Sequence, residues 1–87
     1  MDIEFDTATD EANRLKHGVA LAVEATILMN AMGRIEDDRQ DYGEKRFNAF
    51  GLVEQRLFVC SYPMRGATYR LISVRKASKQ ERRIWLR

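Results

Sequence analysis

Three strand-like segments follow one another between residues 45 and 75, and the short connections between them constrain the fold most strongly. In KRFNAFG apolar residues alternate with polar ones, RLFVCSY is almost continuously apolar, and ATYRLISVR completes the series. The intervening stretches GLVEQ and YPMRGA predict turns, with Pro63 and Gly66 at suitable turn positions. Because short connections join antiparallel strands, the region predicts an antiparallel sheet with RLFVCSY as its central strand.

The residues that precede this region predict a short strand and a first helix. MDIEF alternates as a strand does. Asp6 is a suitable N-cap for a helix over TATDEANRLKH. In that helix Ala8, Ala12 and Leu15 form one apolar stripe, and Gly18 follows as the left-handed residue that ends it.

A second helix is predicted from about Ala20 to Ala31, with Gly33 at its end. Its apolar residues cover much of the helix circumference, which indicates that the helix is largely buried or contacts a partner. The polar stretch that follows predicts a short edge strand near Arg34–Asp37 and then a charged loop.

The C-terminal residues predict a short helix with a defined start. Ser78 and Glu81 form the pattern S-x-x-E, in which each residue caps a backbone N–H of the other. We expect a helix over roughly Lys79–Leu86, anchored by its apolar residues Ile84, Trp85 and Leu86.

The resulting order β-α-α-β-β-β-β-α predicts an α+β fold. We expect a small antiparallel sheet of four to five strands, two N-terminal helices and a short C-terminal helix, in a single domain over residues 1–87.

Composition narrows the class of protein. With 45% hydrophobic residues, 32% charged residues and one cysteine, the chain is expected to be a small globular protein without a disulfide. Cys60 lies in an apolar run, which favours a buried thiol. The longest apolar stretch is interrupted by Glu24 and Asn30 and is too short to span a bilayer, so we expect a cytoplasmic location and no membrane partner.

The formal net charge of +2 conceals a strong asymmetry. Residues 1–44 hold four basic and eleven acidic side chains, a balance of −7, and residues 45–87 hold eleven basic and two acidic ones, a balance of +9. This polarity predicts a basic surface that meets an anion such as a nucleic acid. The alternative is that the fold intermixes the two halves and cancels most of the asymmetry.

The acidic run EDDRQD does not predict a metal site. Its carboxylates alternate between the two faces of an extended segment, and no glycine follows at the spacing of an EF-hand loop. The run is expected to be a solvated acidic edge, or else a device that prevents strand pairing or binds a basic partner segment. We predict no metal and no cofactor.

Several motifs, in the same order, resemble the BrnT family of bacterial type II toxins. They are EFD, NRLKHGV, EDDRQDYGEKRF, VCSY, RLISVRKAS and ERR, and together they span nearly the whole chain. The resemblance implies a RelE-like ribonuclease fold and cleavage of RNA that stops growth. It also implies a cognate BrnA-type antitoxin with a ribbon-helix-helix DNA-binding dimer, a heterotetrameric complex, and contact with operator DNA only through that complex.

RNA cleavage without metal needs a base near the ribose 2′-OH, donors for the charge that develops on the phosphate, and an acid for the leaving oxygen. The chain has one histidine, which excludes a two-histidine mechanism. His17 is the candidate for proton transfer, with a helix-terminal structural role as the alternative. Arg46, Arg65 and Arg75 are the candidates for phosphate contacts, because guanidinium donates two parallel hydrogen bonds.

Further basic residues are expected to bind the RNA backbone: Lys16, Arg70, Lys76, Lys79 and Arg82. Any one of these arginines alone is expected to be a solvated surface residue, and it is their arrangement around the sheet that indicates a phosphate site. Two other hypotheses about function remain open. In one, the chain is a basic module that binds nucleic acid or protein without catalysis. In the other, its apolar segment 20–32 packs on another chain.

Overall fold

A computed structural model describes residues 2–5, 7–17, 23–37 and 43–86. In these residues the chain forms six strands and three helices, which confirms the α+β class. The elements are β1 (Asp2–Glu4), α1 (Thr7–His17), α2 (Glu24–Met29), β2 (Ala31–Asp37), β3 (Arg46–Val53), β4 (Arg56–Arg65), β5 (Thr68–Arg70), β6 (Ser73–Lys76) and α3 (Lys79–Trp85).

The strands form one sheet in the order β1-β5-β4-β3-β2, with β6 also paired to β4. Strand β4 is central as predicted, because β3 flanks it on one side while β5 and β6 flank it on the other. Strand β2 is an edge strand, also as predicted. The expectation of a wholly antiparallel sheet was wrong at one place, since β1 pairs with β5 in parallel.

The central strand is longer than predicted, and its proline does not lie in a turn. Pro63 is buried within β4, between Ser61, the last partner of β6, and Met64, the first partner of β5. The missing N–H therefore falls where β4 changes neighbours. The segment predicted as one strand over ATYRLISVR is divided into β5 and β6 for the same reason. The turn itself lies at Gly66, whose φ is +62°.

The hairpin between β3 and β4 turns at two residues that do not normally mark a turn. Glu54 and Gln55 have φ values of +51° and +67°. Positive φ at both central positions is the geometry of a tight hairpin turn whose twist matches that of the strands. The prediction of a turn over all of GLVEQ was too broad, because β3 continues to Val53.

Helix α1 has the predicted bounds within the described residues but presents a different face. Asn13 is its buried residue, whereas Leu15 is 90% exposed. The predicted stripe of Ala8, Ala12 and Leu15 was wrong, because the helix contacts the sheet through a polar side chain. The predicted cap residues Asp6 and Gly18 lie outside the described residues.

Helix α2 is shorter than predicted and ends at Met29, because the chain has entered β2 by Ala31. Gly33 therefore belongs to a strand and does not end a helix. A Cβ atom at Gly33 would lie 2.9 Å from the Trp85 ring, so the absence of a side chain lets α3 pack closely on β2. Residues 20–22, where the second helix was expected to begin, lie outside the described part.

Two apolar clusters occupy the two faces of the sheet. The larger packs Ile27 and Leu28 of α2 against the strands, and Cys60 is buried there as predicted. The smaller joins Trp85 to Phe50 in a stacked pair with ring centroids 4.6 Å apart.

Within α3, the predicted anchoring role holds for Trp85 but was wrong for Ile84 and Leu86, which are exposed. Along the described ranges, no helix is long and apolar enough to cross a bilayer.

Candidate functional site

Four arginines lie on the same face of the sheet, which we call the arginine face. In antiparallel pairing, opposed residues point to the same side and successive residues alternate. Arg46 is opposite Pro63 and Arg75 is opposite Val59, while Arg65 follows Pro63 by two residues on β4. Arg70 lies two residues beyond Thr68, the partner of Arg65. The register thus brings Arg46, Arg65, Arg70 and Arg75 together on one side.

The described helices α2 and α3 contact different parts of the sheet. Helix α2 packs on the opposite face, where Ile27 joins Ala49, Cys60 and Tyr62 in the larger core cluster. Helix α3 covers only the end of the arginine face around Phe50, through Trp85. Beyond the residues that α3 covers, this face carries Arg65, which is exposed, and Arg46 and Arg70, which are half-buried beside the buried Pro63.

Arg75 is held by the capping box of α3. Its Nη1 and Nη2 atoms donate to the two carboxylate oxygens of Glu81 at 2.7 and 3.0 Å. Glu81 also accepts from the N–H of Ser78 at 2.8 Å, and its own N–H donates to Ser78 Oγ at 3.2 Å, which confirms the predicted cap. A phosphate that binds Arg75 through both nitrogens must displace this carboxylate.

The same contacts determine the ionisation of Glu81. The hydrogen bonds from Arg75 lower the pKa of Glu81 to about 2, with a smaller contribution from the backbone N–H of Ser78 and against the effect of burial. A carboxylate with so low a pKa is a weak proton acceptor at neutral pH. The geometry therefore favours a structural role for Glu81 over that of a general base.

Acidic side chains stand beside two further arginines of this face. Arg70 Nη1 lies 3.7 Å from Glu4 Oε1, and Asp37 is directly opposite Arg46 in the register. The acidic first half and the basic second half of the chain therefore meet across the sheet, and the two halves are partly intermixed.

Arg65 differs from the other three arginines. It is exposed at the end of β4 and does not lie in the turn, contrary to the prediction. Among the described residues, no hydrogen bond or ion pair holds its guanidinium, so its donors face solvent and are available to a ligand.

A polar pair that the sequence did not predict lies between the arginines. Ser61 Oγ donates to Asn48 Oδ1 at 2.6 Å, and both residues are half-buried on the arginine face. This bond fixes the orientation of the Asn48 amide, so that its NH2 group is the part left to donate. Ser73 is opposite Ser61 and extends the polar row to β6. Only the strand register, which no local pattern gives, identifies this row.

Lys16 approaches the same row from the end of α1. It lines a cleft of about 370 Å³ together with Asn13, Ile72 and Ser73. His17 is the last residue of α1, and its imidazole lies outside the described part of the structure.

The other predicted RNA-binding residues lie elsewhere. Lys76 and Arg82 line a second cleft, beyond the end of the sheet that α3 covers, and Lys79 is exposed in the first turn of α3. The structure thus divides the predicted basic residues into two groups, one on or beside the arginine face and one around α3.

Tyr62 and Tyr69 take part in packing. Tyr62 is buried on the opposite face, with its ring 5.9 Å from Phe47 and 5.1 Å from Tyr69. Burial raises the pKa of Tyr62, and a hydrogen bond with Arg34 partly opposes this effect. The Arg34 guanidinium lies 5.0 Å from the Phe47 ring centroid.

In the parts of the chain that the structure describes, no three histidine, cysteine or acidic side chains cluster as metal ligands would. The predicted acidic run is only partly covered, because residues 38–41 are outside those parts.

A family model for ribonuclease toxins of the BrnT type, from type II toxin–antitoxin systems, matches residues 5–81. The chain belongs to the BrnT family. The match includes all four arginines of the arginine face and extends to Glu81, and it confirms the resemblance found in the sequence motifs. BrnT proteins are ribonuclease toxins, so the family implies an RNA substrate and a protein antitoxin as partner. Among curated proteins, none matches this BrnT chain.

Proposed function

We propose that this BrnT protein cleaves RNA on the arginine face without a metal ion. The observation that supports this proposal is the common orientation of Arg46, Arg65, Arg70 and Arg75, with the Asn48–Ser61 pair between them. Guanidinium and amide N–H groups can donate hydrogen bonds to the phosphate oxygens, which gain negative charge in the transition state of cleavage.

The reaction is an attack of the ribose 2′-OH on the adjacent phosphorus. The new bond joins O2′ to phosphorus while the bond from phosphorus to O5′ breaks, which gives a 2′,3′-cyclic phosphate and a 5′-hydroxyl. A base accepts the proton of the 2′-OH and an acid protonates O5′. We assign proton transfer to His17, the one histidine of the chain, which is the last residue of α1.

The arginines stabilise the charge on the phosphate oxygens. Arg65 is the primary phosphate ligand because its donors face solvent. Arg46 supports the phosphate from β3, where its Nε atom is buried. Arg70 and Lys16 bind the flanking backbone. Arg75 joins them when a phosphate replaces the Glu81 carboxylate.

The proposed biological setting follows from the family. We infer a RelE-like toxin located in the cytoplasm and neutralised by a BrnA-type ribbon-helix-helix antitoxin in a heterotetramer. In this arrangement the complex contacts operator DNA only through the antitoxin. Co-expression with a neighbouring ribbon-helix-helix gene should restore growth that the BrnT chain alone arrests.

The deciding experiment is cleavage of a defined single-stranded RNA by the purified protein, with and without EDTA. We expect cleavage at equal rates in both conditions, with 2′,3′-cyclic phosphate at the new ends. Cleavage that requires a divalent ion would contradict the mechanism. RNA that is bound but stays intact would instead support the non-catalytic alternative.

The hypothesis that the apolar segment 20–32 packs on another chain has less support. Ile27 and Leu28 of this segment are covered by the protein's own sheet. Met29 and Met32 of the same segment are exposed, at 77% and 46%.

A further inference from the structure

The second cleft is a basic site distinct from the arginine face, and we call it the C-terminal cleft. It has a volume of about 290 Å³ and lies between the β3–β4 hairpin, the end of β6 and α3. Its lining in the described part of the chain contains three cations and no acid. The lining residues are Gln55, Arg56, Leu57, Lys76, Ala77, Arg82 and Leu86.

Backbone contacts give this cleft a defined shape. The N–H of Ala77 donates to the carbonyl of Leu57 at 2.9 Å, which joins the chain after β6 to the start of β4. Arg82 Nη1 then donates to the carbonyl of Ala77 at 2.9 Å. The guanidinium is therefore fixed at the cleft while its other N–H groups stay available. Leu57 and Ala77 are buried and provide an apolar floor.

The electrostatics of the C-terminal cleft differ from those of the arginine face. On that face Glu81 holds Arg75 and Glu4 lies near Arg70, so part of the positive charge is neutralised. In the C-terminal cleft Arg56, Lys76 and Arg82 repel one another, and among the described lining residues no carboxylate offsets the repulsion. An anion bound among them removes this repulsion and gains from all three charges.

The strand geometry connects the two basic sites. Arg75 and Lys76 are consecutive residues of β6. Arg75 lies on the arginine face, and Lys76, the last residue of the strand, lines the cleft together with Leu57, which shares the side of Val59 and Ser61 on β4. Along β4, Leu57 of the cleft lies four positions before Ser61 of the polar row, which is about 13 Å at the rise of a β-strand. An RNA strand that leaves the arginine face at β6 reaches the cleft within a few nucleotides.

We propose that the C-terminal cleft binds a backbone phosphate of the same RNA strand, a few nucleotides from the phosphate that is cut. The inference rests on the proposed function and adds a second anchoring point for the substrate. It makes binding and cleavage depend on RNA length, because an oligonucleotide too short to reach the cleft loses this anchor. The rival occupant is an acidic segment of the antitoxin, and the test below separates the two.

The first measurement is the salt dependence of RNA binding. The probe is a fluorescent single-stranded RNA with 2′-O-methyl groups, which cannot be cut by attack of the 2′-OH. For the double variant Arg56→Ala, Lys76→Ala we expect the slope of log K against log salt to fall by about 1.4, or about 0.7 for each charge removed. Arg83→Ala is the matched control, because Arg83 is an exposed residue of α3 that does not line the cleft.

The second measurement is cleavage of unmodified RNA as a function of length. The double variant should cut a dinucleotide as fast as the native protein does and lose only the gain in rate on longer RNA. An unchanged salt slope and an unchanged length dependence would overturn the inference. So would a native protein that does not bind the probe, or a double variant that loses only its affinity for the antitoxin.

These measurements also separate this inference from the proposed function. If the probe binds with the expected change in slope but unmodified RNA stays intact, the cleft is supported and the cleavage proposal fails. If RNA is cut but the double variant equals the Arg83→Ala control, cleavage is supported and the cleft inference fails.

Discussion

The Asn13 side chain is hydrogen-bonded to both backbone groups of Val74. Its Nδ2 donates to the Val74 carbonyl at 3.0 Å, and its Oδ1 accepts from the Val74 N–H at 3.0 Å. The amide thus takes the place of a neighbouring strand along the outer edge of β6, which β4 pairs on the other side. Both partners are buried, so this one residue fastens α1 to the sheet.

Replacement of Asn13 should therefore destabilise the fold strongly. Asn13→Ala leaves two buried backbone groups unsatisfied, and we expect a loss of about 2–3 kcal/mol in the free energy of unfolding. Urea denaturation followed by circular dichroism measures it. Leu15→Ala on the same helix is the control and should change stability by less than about 0.5 kcal/mol, since Leu15 is exposed. Equal midpoints for the two variants would contradict the role given to Asn13.

The Arg75–Glu81 pair predicts a dependence of stability on pH. The pKa of Glu81 is lowered from 4.5 to about 2 in the folded protein, so the stabilisation is fully present above pH 4.5. It is lost as the pH falls from there towards 2. In Glu81→Gln, which keeps a capping amide, this part of the acid destabilisation should disappear, as measured by thermal unfolding across the range.

The same substitution tests whether Glu81 competes with RNA for Arg75. Glu81→Gln weakens the bond to the guanidinium, so the affinity for the 2′-O-methyl RNA probe should rise severalfold at neutral pH. Arg75→Ala added to Glu81→Gln should remove that gain. If the gain in affinity persists without Arg75, it comes from the change in net charge, and the competition between Glu81 and RNA for Arg75 is contradicted.

Gly33 and Trp85 should be energetically coupled. A methyl group at position 33 meets the Trp85 ring, and that ring is stacked on Phe50 and cannot move freely. Gly33→Ala should therefore cost about 1–3 kcal/mol in the native protein. In a Trp85→Ala background the same substitution should cost little. A double-mutant cycle measures the coupling, and additive effects would place the cost of Gly33→Ala elsewhere.

Arg65 should contribute most to cleavage among the arginines of its face. Arg65→Ala is expected to lower the rate of RNA cleavage about 10²–10³-fold and to relieve toxicity, because it removes donors from the charged phosphate. Arg65→Lys should recover only part of the rate, since an ammonium lacks the planar pair of donors. Arg83→Ala serves again as the exposed control, and equal rates for Arg65→Ala and this control would remove Arg65 from the site.

Features set by local sequence were predictable, and features set by the pairing of distant residues were not. The capping box of Ser78 and Glu81 lies within four consecutive residues, so the local sequence predicted it. Alternation along one strand predicts which of its own residues lie on the same side. That Arg46 and Arg75 lie on the same side of the sheet follows only from the register between the strands. The exact position of the turn at Glu54 and Gln55 was not predictable, because neither residue is a glycine. The role of Asn13 was not predictable either, because its hydrogen-bond partner Val74 is distant in the sequence.

The pairing of β1 with β5 also bears on how the protein is made. Asp2 lies beside Thr68, so the first strand emerges from the ribosome long before its neighbour exists. The N-terminal segment must wait through the synthesis of sixty-five intervening residues. Arg65 and Arg70 flank this late junction, so the arginine face is incomplete until β5 has been synthesised and has paired with β1.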